Sequence, residues 1–320
     1  MGIKPTVGLT SRSLVIPISE HQDTVGPMAR TVKDAAYLLQ AIAGKDAADN
    51  YTSAIPFDDL PDYVAACKFS ALQGKRIGIP RNVIKPSNTS GPILAAFAKS
   101  IDIIKAAGAT IVDNTNFTAY SAFRSSNTTS IVLDADFIVD LKKYLDQLTG
   151  NPNNVHSLAD VSNFTHHFPQ EDYPDRNTQI WDTTLGLGFN NTSPQFWAAY
   201  QQNLYFGGPG GVFGALKNYS LDALLLPTAY SPGVPAIVGS PVITVPMGFY
   251  PANQTIVKNA RGNLVAVAPN VPFGLSFLGA KWSEADLIGY AYAYEQRTFV
   301  RNRVQPYIVS NTELGNVVGF

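Results

Sequence analysis

Between Arg76 and Val112 the chain spells out a strand, a helix and a second strand. Arg76–Ile79 is a short apolar run stopped by Pro80. Ser90 opens the next segment as an N-cap with Pro92 in its first turn, and Leu94, Phe97, Ile101 and Ile104 then recur at helical spacing up to Gly108. Ala109–Val112 reads as strand again. Two strands joined across a helix normally lie parallel through a right-handed crossover. This unit predicts an α/β protein, and the alternation of helical and strand signals elsewhere agrees with it.

A helix is predicted over Thr31–Ala43, with Thr31 as N-cap and Asp34 three residues on. Val32, Ala35, Ala36, Leu39 and Ile42 share one of its faces, and Gly44 suits its end. Phe117–Leu148 reads as mainly helical. Pro152–Pro194 is polar and rich in Asn, Asp and Pro, and reads as long loops with short helices, of the kind that line or cover a site. The last third is strand-rich, with strands expected at Ala223–Leu226, Val242–Val245, Leu264–Val267 and Gly274–Leu278. A closing helix is predicted from Ser283, with Asp286 in the capping-box position and Leu287, Ala291, Tyr294 and Thr298 facing inward. Tyr290, Tyr292 and Tyr294 are spaced by two, so they divide between core and surface. No composition break separates two domains, and residues 1–320 read as one domain with inserted loops.

Composition excludes several function classes. The formal net charge is −1, so the chain lacks the basic face that a nucleic-acid binder or a polybasic membrane anchor needs. Apolar runs such as Ala223–Leu226 are far shorter than the roughly 20 residues of a membrane helix. Cys67 is the sole cysteine, which leaves no intrachain disulfide and no cysteine-based zinc site. The opening MGIKPTVGLTSRS has neither a basic nor an apolar leader region, so no signal peptide is expected from it.

The opening GIKPTVGLTSRS and the following DTVGPMARTVKDAAYLL resemble the amidase signature family just after its nucleophile. LDALLLPT, GSPVITVPMGF and PFGLSFLGAKWSEADLIGYAYAYEQRT resemble its C-terminal third, in family order and with family-like spacing. SLADVSNFTHHFPQEDYP sits where fungal and bacterial members carry a helix-and-loop segment, and residues 150–211 match least and read as a variable loop-rich insertion. The resemblance implies an amidase-signature-type mixed β-sheet flanked by helices, and hydrolysis of carbon–nitrogen amide bonds by a Ser–cis-Ser–Lys triad. In that mechanism a neutral lysine draws a proton through a bridging serine while a second serine attacks the carbonyl. In the family all three groups and the glycine-rich oxyanion loop precede the Gly-x-Lys-Pro-Thr segment, which begins here at Gly2. The expectation is therefore an N-terminally truncated, single incomplete amidase domain over 1–320. It would be inactive as written and marginally soluble, because the retained apolar faces and strand edges lose their cover. The alternative is a non-catalytic remnant that binds a small amide or a partner protein.

The remaining candidates do not rebuild a site. Lys4 lies near Ser11 and Ser13 in sequence but belongs to the Lys-Pro-Thr motif, so it reads as structural. Ser240 and Ser276 lie at or within strands, without the Gly-x-Ser-x-Gly turn of a nucleophile elbow. The histidines are His21, His156, His166 and His167. The adjacent pair, His166 and His167, with Glu171 and Asp172 close by, suits a metal poorly because neighbouring side chains point apart, and it reads as polar loop residues. Gly207–Gly211 lacks a Walker ending and reads as a flexible turn. Asp23 and Arg30 read as loop braces through hydrogen bonds to backbone groups. No catalytic, cofactor-binding or metal residue is assigned, and no cofactor; the partner, if any, is a small-molecule amide, with no nucleic acid and no membrane.

Asn-x-Ser/Thr sequons start at Asn50, Asn88, Asn116, Asn127, Asn163, Asn190, Asn191, Asn218 and Asn253. With 22 Asn and 43 Ser plus Thr in 320 residues, chance supplies about three. The nine found point to a full-length ancestor that passed through a glycosylating secretory pathway. The destination of this chain itself stays open.

Overall fold

The computed structural model describes residues 1–85, 89–305 and 308. Its strands are β1 (Gly2–Lys4), β2 (Arg76–Ile79), β3 (Thr110–Asp113), β4 (Ala223–Pro227), β5 (Val242–Phe249), β6 (Val257–Lys258), β7 (Val265–Val267) and β8 (Pro272–Leu278). Six of them form one mixed sheet in the order β1-β5-β8-β4-β2-β3. The unit that most constrained the sequence is built as expected: β2 and β3 are parallel, with Arg76 opposite Thr110 and Ile79 opposite Asp113. The helix between them, α2 (Gly91–Ala106), buries Phe97, Ile101 and Ile104. On the other side β2 pairs parallel with β4, after which the sheet turns antiparallel through β8, β5 and β1. All five residues of β4 are buried, the signature of a central strand covered on both faces.

The other helices are α1 (Val32–Ile42), α3 (Tyr120–Ser125), α4 (Thr128–Asp146), α5 (Leu158–His167), α6 (Gln179–Leu185), α7 (Pro194–Gly207), α8 (Val212–Asn218), α9 (Gly233–Ala236) and α10 (Glu284–Thr298). Among the described residues no helix is long and apolar enough to cross a membrane. The Thr31 hydroxyl caps α1 by accepting from the Asp34 amide at 3.1 Å. One apolar core joins α1, α2 and α10 to the sheet through residues such as Leu39, Ile104, Leu225, Phe277 and Tyr294. A small satellite core, Val132, Ala135, Phe196 and Ala199, holds α4 against α7.

Several local expectations change. The capping box of α10 is not made: Ser283 Oγ turns back to the Ala280 carbonyl at 2.7 Å. The helix instead begins on fully buried Glu284, which tertiary contacts hold in place. Tyr290 and Tyr294 lie one turn apart and are both buried, whereas Tyr292 and Thr298 are half-buried. The strand expected at Leu264–Val267 leaves the main sheet and pairs with β6 as a separate exposed ribbon. The glycine run Gly207–Gly211 is a tight junction between α7 and α8 rather than a flexible turn. A Cβ on Gly211 would stand 2.2 Å from the Phe206 carbonyl oxygen, and one on Gly207 would stand 2.5 Å from Val238.

Candidate functional site

The segment following β1 carries the motif residues, and each is tied down by a long-range polar contact. Lys4 is half-buried, and both hydrogen bonds that its Nζ makes among the described residues end on carbonyl oxygens, of Ser240 at 2.9 Å and Pro5 at 3.4 Å. Burial pushes its ammonium down to about 8, against the opposing pull of Glu284. The Ser240 hydroxyl is itself buried without a partner among the described residues. Glu284 accepts from the Thr6 amide at 2.6 Å, and burial raises its carboxyl above the ordinary range. Thr6 Oγ1 accepts from the Trp282 amide at 2.9 Å. The Lys-Pro-Thr stretch therefore pins β1 to the start of α10 and offers no lysine–serine relay. Ser276 Oγ lies 2.9 Å from Thr228 Oγ1 and 3.0 Å from Ser231 Oγ, away from any base in the described contacts.

Downstream, residues 11–23 fold against α4. Ser11 donates to Asp46 at 2.5 Å, and Arg12 grips Asp49 with Nε at 2.9 Å and Nη2 at 3.0 Å. Arg12 Nη1 also donates to the Glu20 carbonyl at 2.6 Å. Such a two-pronged guanidinium–carboxylate pair fixes geometry as well as charge. Asp23 accepts from the amides of Ile18 at 2.7 Å and Ser19 at 2.9 Å, which is the backbone brace expected of it. Arg30, expected to brace likewise, is exposed and makes no such bond among the described residues.

Asp136 of α4 is fully buried and collects three donors: Ser19 Oγ at 2.5 Å, His21 Nδ1 at 2.8 Å and Asn191 Nδ2 at 3.0 Å. One turn on, Asp140 accepts from the Glu20 amide at 2.7 Å, and burial raises its carboxyl. The His21 ring packs 4.5 Å from Tyr200 and 5.4 Å from Phe196. A serine, a histidine and an aspartate thus meet, but serine and histidine bind the same carboxylate oxygen side by side. The imidazole does not receive the hydroxyl proton, so the trio is a clamp and not a proton relay. Glu20, His21 and Asp136 also place ligand atoms within 4.8 Å of one another, a spacing that could hold a cation. The three donors already on Asp136 account for its carboxylate without one.

His166 and His167 close α5 rather than occupying a loop, and they point apart: His166 reaches Thr178 at 2.8 Å, His167 the Asn163 carbonyl at 2.7 Å. Cys67 is half-buried, and burial pushes its thiol up to about 11. Asn50, Asn116, Asn127, Asn163, Asn218 and Asn253 are exposed, Asn190 and Asn191 are half-buried, and Asn88 lies outside the described residues. Sequence reasoning missed Arg12, Asp49, Asp136 and Asp140. The available signal was two acids four residues apart, Asp136 and Asp140, on the face of α4 that carries Val132 and Ala135.

Two hollows flank the docked segment. One, about 200 Å³, mixes charged residues such as Arg12, Glu20, Asp140 and Lys143 with apolar Leu14 and Val15. The other, about 870 Å³, lies between α4 and α6.

A family profile described as Amidase matches residues 1–288. A protein of Arthroderma benhamiae provisionally named an amidase is 52% identical over 99% of this chain and 53% of its own length. One from Arabidopsis thaliana, also provisionally named an amidase, is 33% identical over 94% of this chain and 53% of its own length. The native peptide amidase of Stenotrophomonas maltophilia superposes with a TM-score of 0.78 at 32% identity, covering 93% of this chain and 58% of that structure. The chain spans about half the length of the curated relatives it matches.

Proposed function

Because the chain belongs to the amidase family, we propose that its 320 residues serve the hydrolysis of carbon–nitrogen amide bonds as one part of an amidase domain. The proton relay and nucleophile come from the part of the relatives' length that this sequence does not match. The observation that carries this reading is Lys4. It is the lysine of the Lys-Pro-Thr motif, and among the described residues it is spent on two carbonyl oxygens rather than on a serine hydroxyl. Without a lysine–serine relay among the described residues, the chain alone is expected to lack the groups that accelerate acyl transfer.

The test is hydrolysis of a simple aryl amide, such as a nitroanilide, by the purified chain and by the same chain joined to the upstream coding sequence read from genomic DNA. The expected result is no turnover by the chain alone and turnover by the joined form. Turnover by the chain alone that Lys4→Met abolishes, which excludes a contaminant, overturns the division of labour.

The sequon excess supports a secreted, glycosylated full-length protein. The six exposed asparagines are its acceptor sites, while Asn191 is excluded because its amide nitrogen is committed to Asp136. Glycosidase treatment of protein secreted from a eukaryotic host, read by peptide mass spectrometry, checks this. Unmodified peptides throughout would refute it.

A further inference from the structure

Asn163 differs from the other exposed acceptor asparagines in what lies beside it. It stands on α5, and its side chain makes no hydrogen bond among the described residues, only its carbonyl being used, by His167 Nδ1 at 2.7 Å. Phe164 and Phe168, one turn apart, stack with ring centroids separated by 4.8 Å, and Phe168 is 41% exposed. With Asn153, Asp160 and His167 these residues line a hollow of about 270 Å³. That is just below the usual range of drug-sized sites and suits a single sugar ring.

The chemistry of the hollow fits such a ring. The C–H face of a pyranose covers an aromatic face, and its hydroxyls need acceptors at the rim. Asp160 supplies one. Its Oδ2 accepts from Ser157 Oγ at 2.8 Å and from the His156 amide at 3.0 Å, while Oδ1 has no partner among the described residues. The same two donors hold the carboxyl below the ordinary range, so the free oxygen belongs to a carboxylate at neutral pH.

Two other sequons also place an aromatic residue after the asparagine, without an open face. Phe117, after Asn116, is 2% exposed, and the Tyr51 ring, after Asn50, is covered by the Arg12 guanidinium at 4.4 Å. At Asn163 the acceptor and an open aromatic face share one hollow, so whatever is attached there is tethered where it can bind.

We propose that Asn163 carries an N-linked glycan whose first N-acetylglucosamine lies in this hollow, with its apolar face on Phe168 and a hydroxyl donating to Asp160, and that the sugar fastens the end of α5. This deepens the glycosylated reading above and rests on it. Attachment forms a bond from Asn163 Nδ2 to C1 of a lipid-diphosphate-linked oligosaccharide. The C1–O bond breaks, the lipid diphosphate leaves with the electron pair, and one amide proton passes to a base of the host's transferring enzyme.

The test uses the chain secreted from yeast behind a host leader and trimmed with endoglycosidase H, which leaves one N-acetylglucosamine on each modified asparagine. Peptide mass spectrometry reads the occupancy of each sequon, and hydrogen exchange reads the amides of 158–168. The expected result is an occupied Asn163 and exchange about fivefold slower than in Asn163→Gln. On a Phe168→Ala background, with Asn163 still occupied, that difference should vanish, and Phe168→Tyr should keep it. Thr118→Ala, which removes the Asn116 sequon at an exposed hydroxyl, should leave 158–168 unchanged. Equal exchange in the parent and Asn163→Gln, or a difference that survives Phe168→Ala, overturns the docked sugar. An unmodified Asn163 beside other occupied sequons, as when further protein covers the hollow, rejects this site and keeps the glycosylated reading; no occupied sequon anywhere rejects both.

Discussion

The sheet with α1, α2 and α10 is held together by one kind of force, and the lobe built from α4 to α7 by another. In the sheet region a continuous apolar cluster runs from Ile3 to Tyr294, and β4 is buried along its full length. In the lobe the apolar contribution is smaller and divided: a satellite core of Val132, Ala135, Phe196 and Ala199, and a second small cluster that takes Phe206 of α7. Much of what joins its helices is directed polar contact: Asp136 with Ser19, His21 and Asn191, Thr184 with Asp134, His166 with Thr178, and Thr128 with Asn203. Apolar burial is non-directional and roughly additive in area. A buried polar network is specific, and it suffers when one member is lost because its partners stay buried and unpaired. The two regions should therefore fail differently under mutation.

The largest effect is expected in the sheet. Leu225→Ala, at a fully buried position of β4, should destabilise by about 3 kcal/mol through lost burial plus a cavity. Urea denaturation reads this, and a loss below about 1 kcal/mol would break the contrast. Next comes Asp136→Ala, which strands three donors and should cost about 2–3 kcal/mol. Asp136→Asn keeps an acceptor oxygen and should cost less. If the two substitutions are equivalent, the lobe is held by packing after all.

Lys4 offers a pH test at the seam between β1 and α10. Its ammonium titrates near 8 in the folded state, below its ordinary value of 10.5. Between those values the unfolded chain binds the extra proton, so stability rises with pH across the window. From pH 8 to pH 9.5 the parent should gain about 1.5 kcal/mol relative to Lys4→Met. Tyr63 and Tyr290, whose hydroxyls burial raises, weaken the fold at higher pH in both proteins alike, so the difference isolates Lys4. A flat difference curve removes the desolvated lysine from the account.

Helix caps should not distinguish the regions. Thr31→Ala on α1 and Ser193→Ala on α7 each delete one bond from a helix amide to a capping hydroxyl, Ser193 losing also its donation to the Asn190 carbonyl, and each should cost about 1 kcal/mol. Unequal values, read from paired thermal melts, would show that the lobe frays locally. The smallest effect is Arg81→Ala, which breaks an exposed pair with Asp113 at the edge of the sheet and should change stability by less than about 1 kcal/mol.

The legibility of the sequence follows the same division. β2, α2 and β3 were readable because a packed helix and a buried strand impose periods of 3.6 and 2 on the apolar residues. The cap of α1 was readable because Thr31 and Asp34 are local partners. The α10 cap misled because Ser283 had a competing local acceptor in Ala280, while the first helical residue, Glu284, was claimed by Thr6, distant in sequence. The glycine run misled because composition reports conformational freedom and not how closely Phe206 and Val238 approach. Of the two expected braces, Asp23 acts on its own neighbours at positions 18 and 19 and was legible, while the bracing arginine is Arg12, whose partner Asp49 is 37 residues away.

By itself the sequence determined the α/β class, the parallel β2–β3 pair, most helix positions and membership of a family through motifs spread along the chain. These rest on local periodicity and on residues a few positions apart. The tertiary structure alone decided that Lys4 faces carbonyls, that Ser19, His21 and Asn191 share one carboxylate, and that Ile18, Phe137, Trp181 and Arg261 line a common groove. Such contacts join side chains tens to hundreds of residues apart, and a polar group carries no mark in sequence of which distant partner will satisfy it once water is removed.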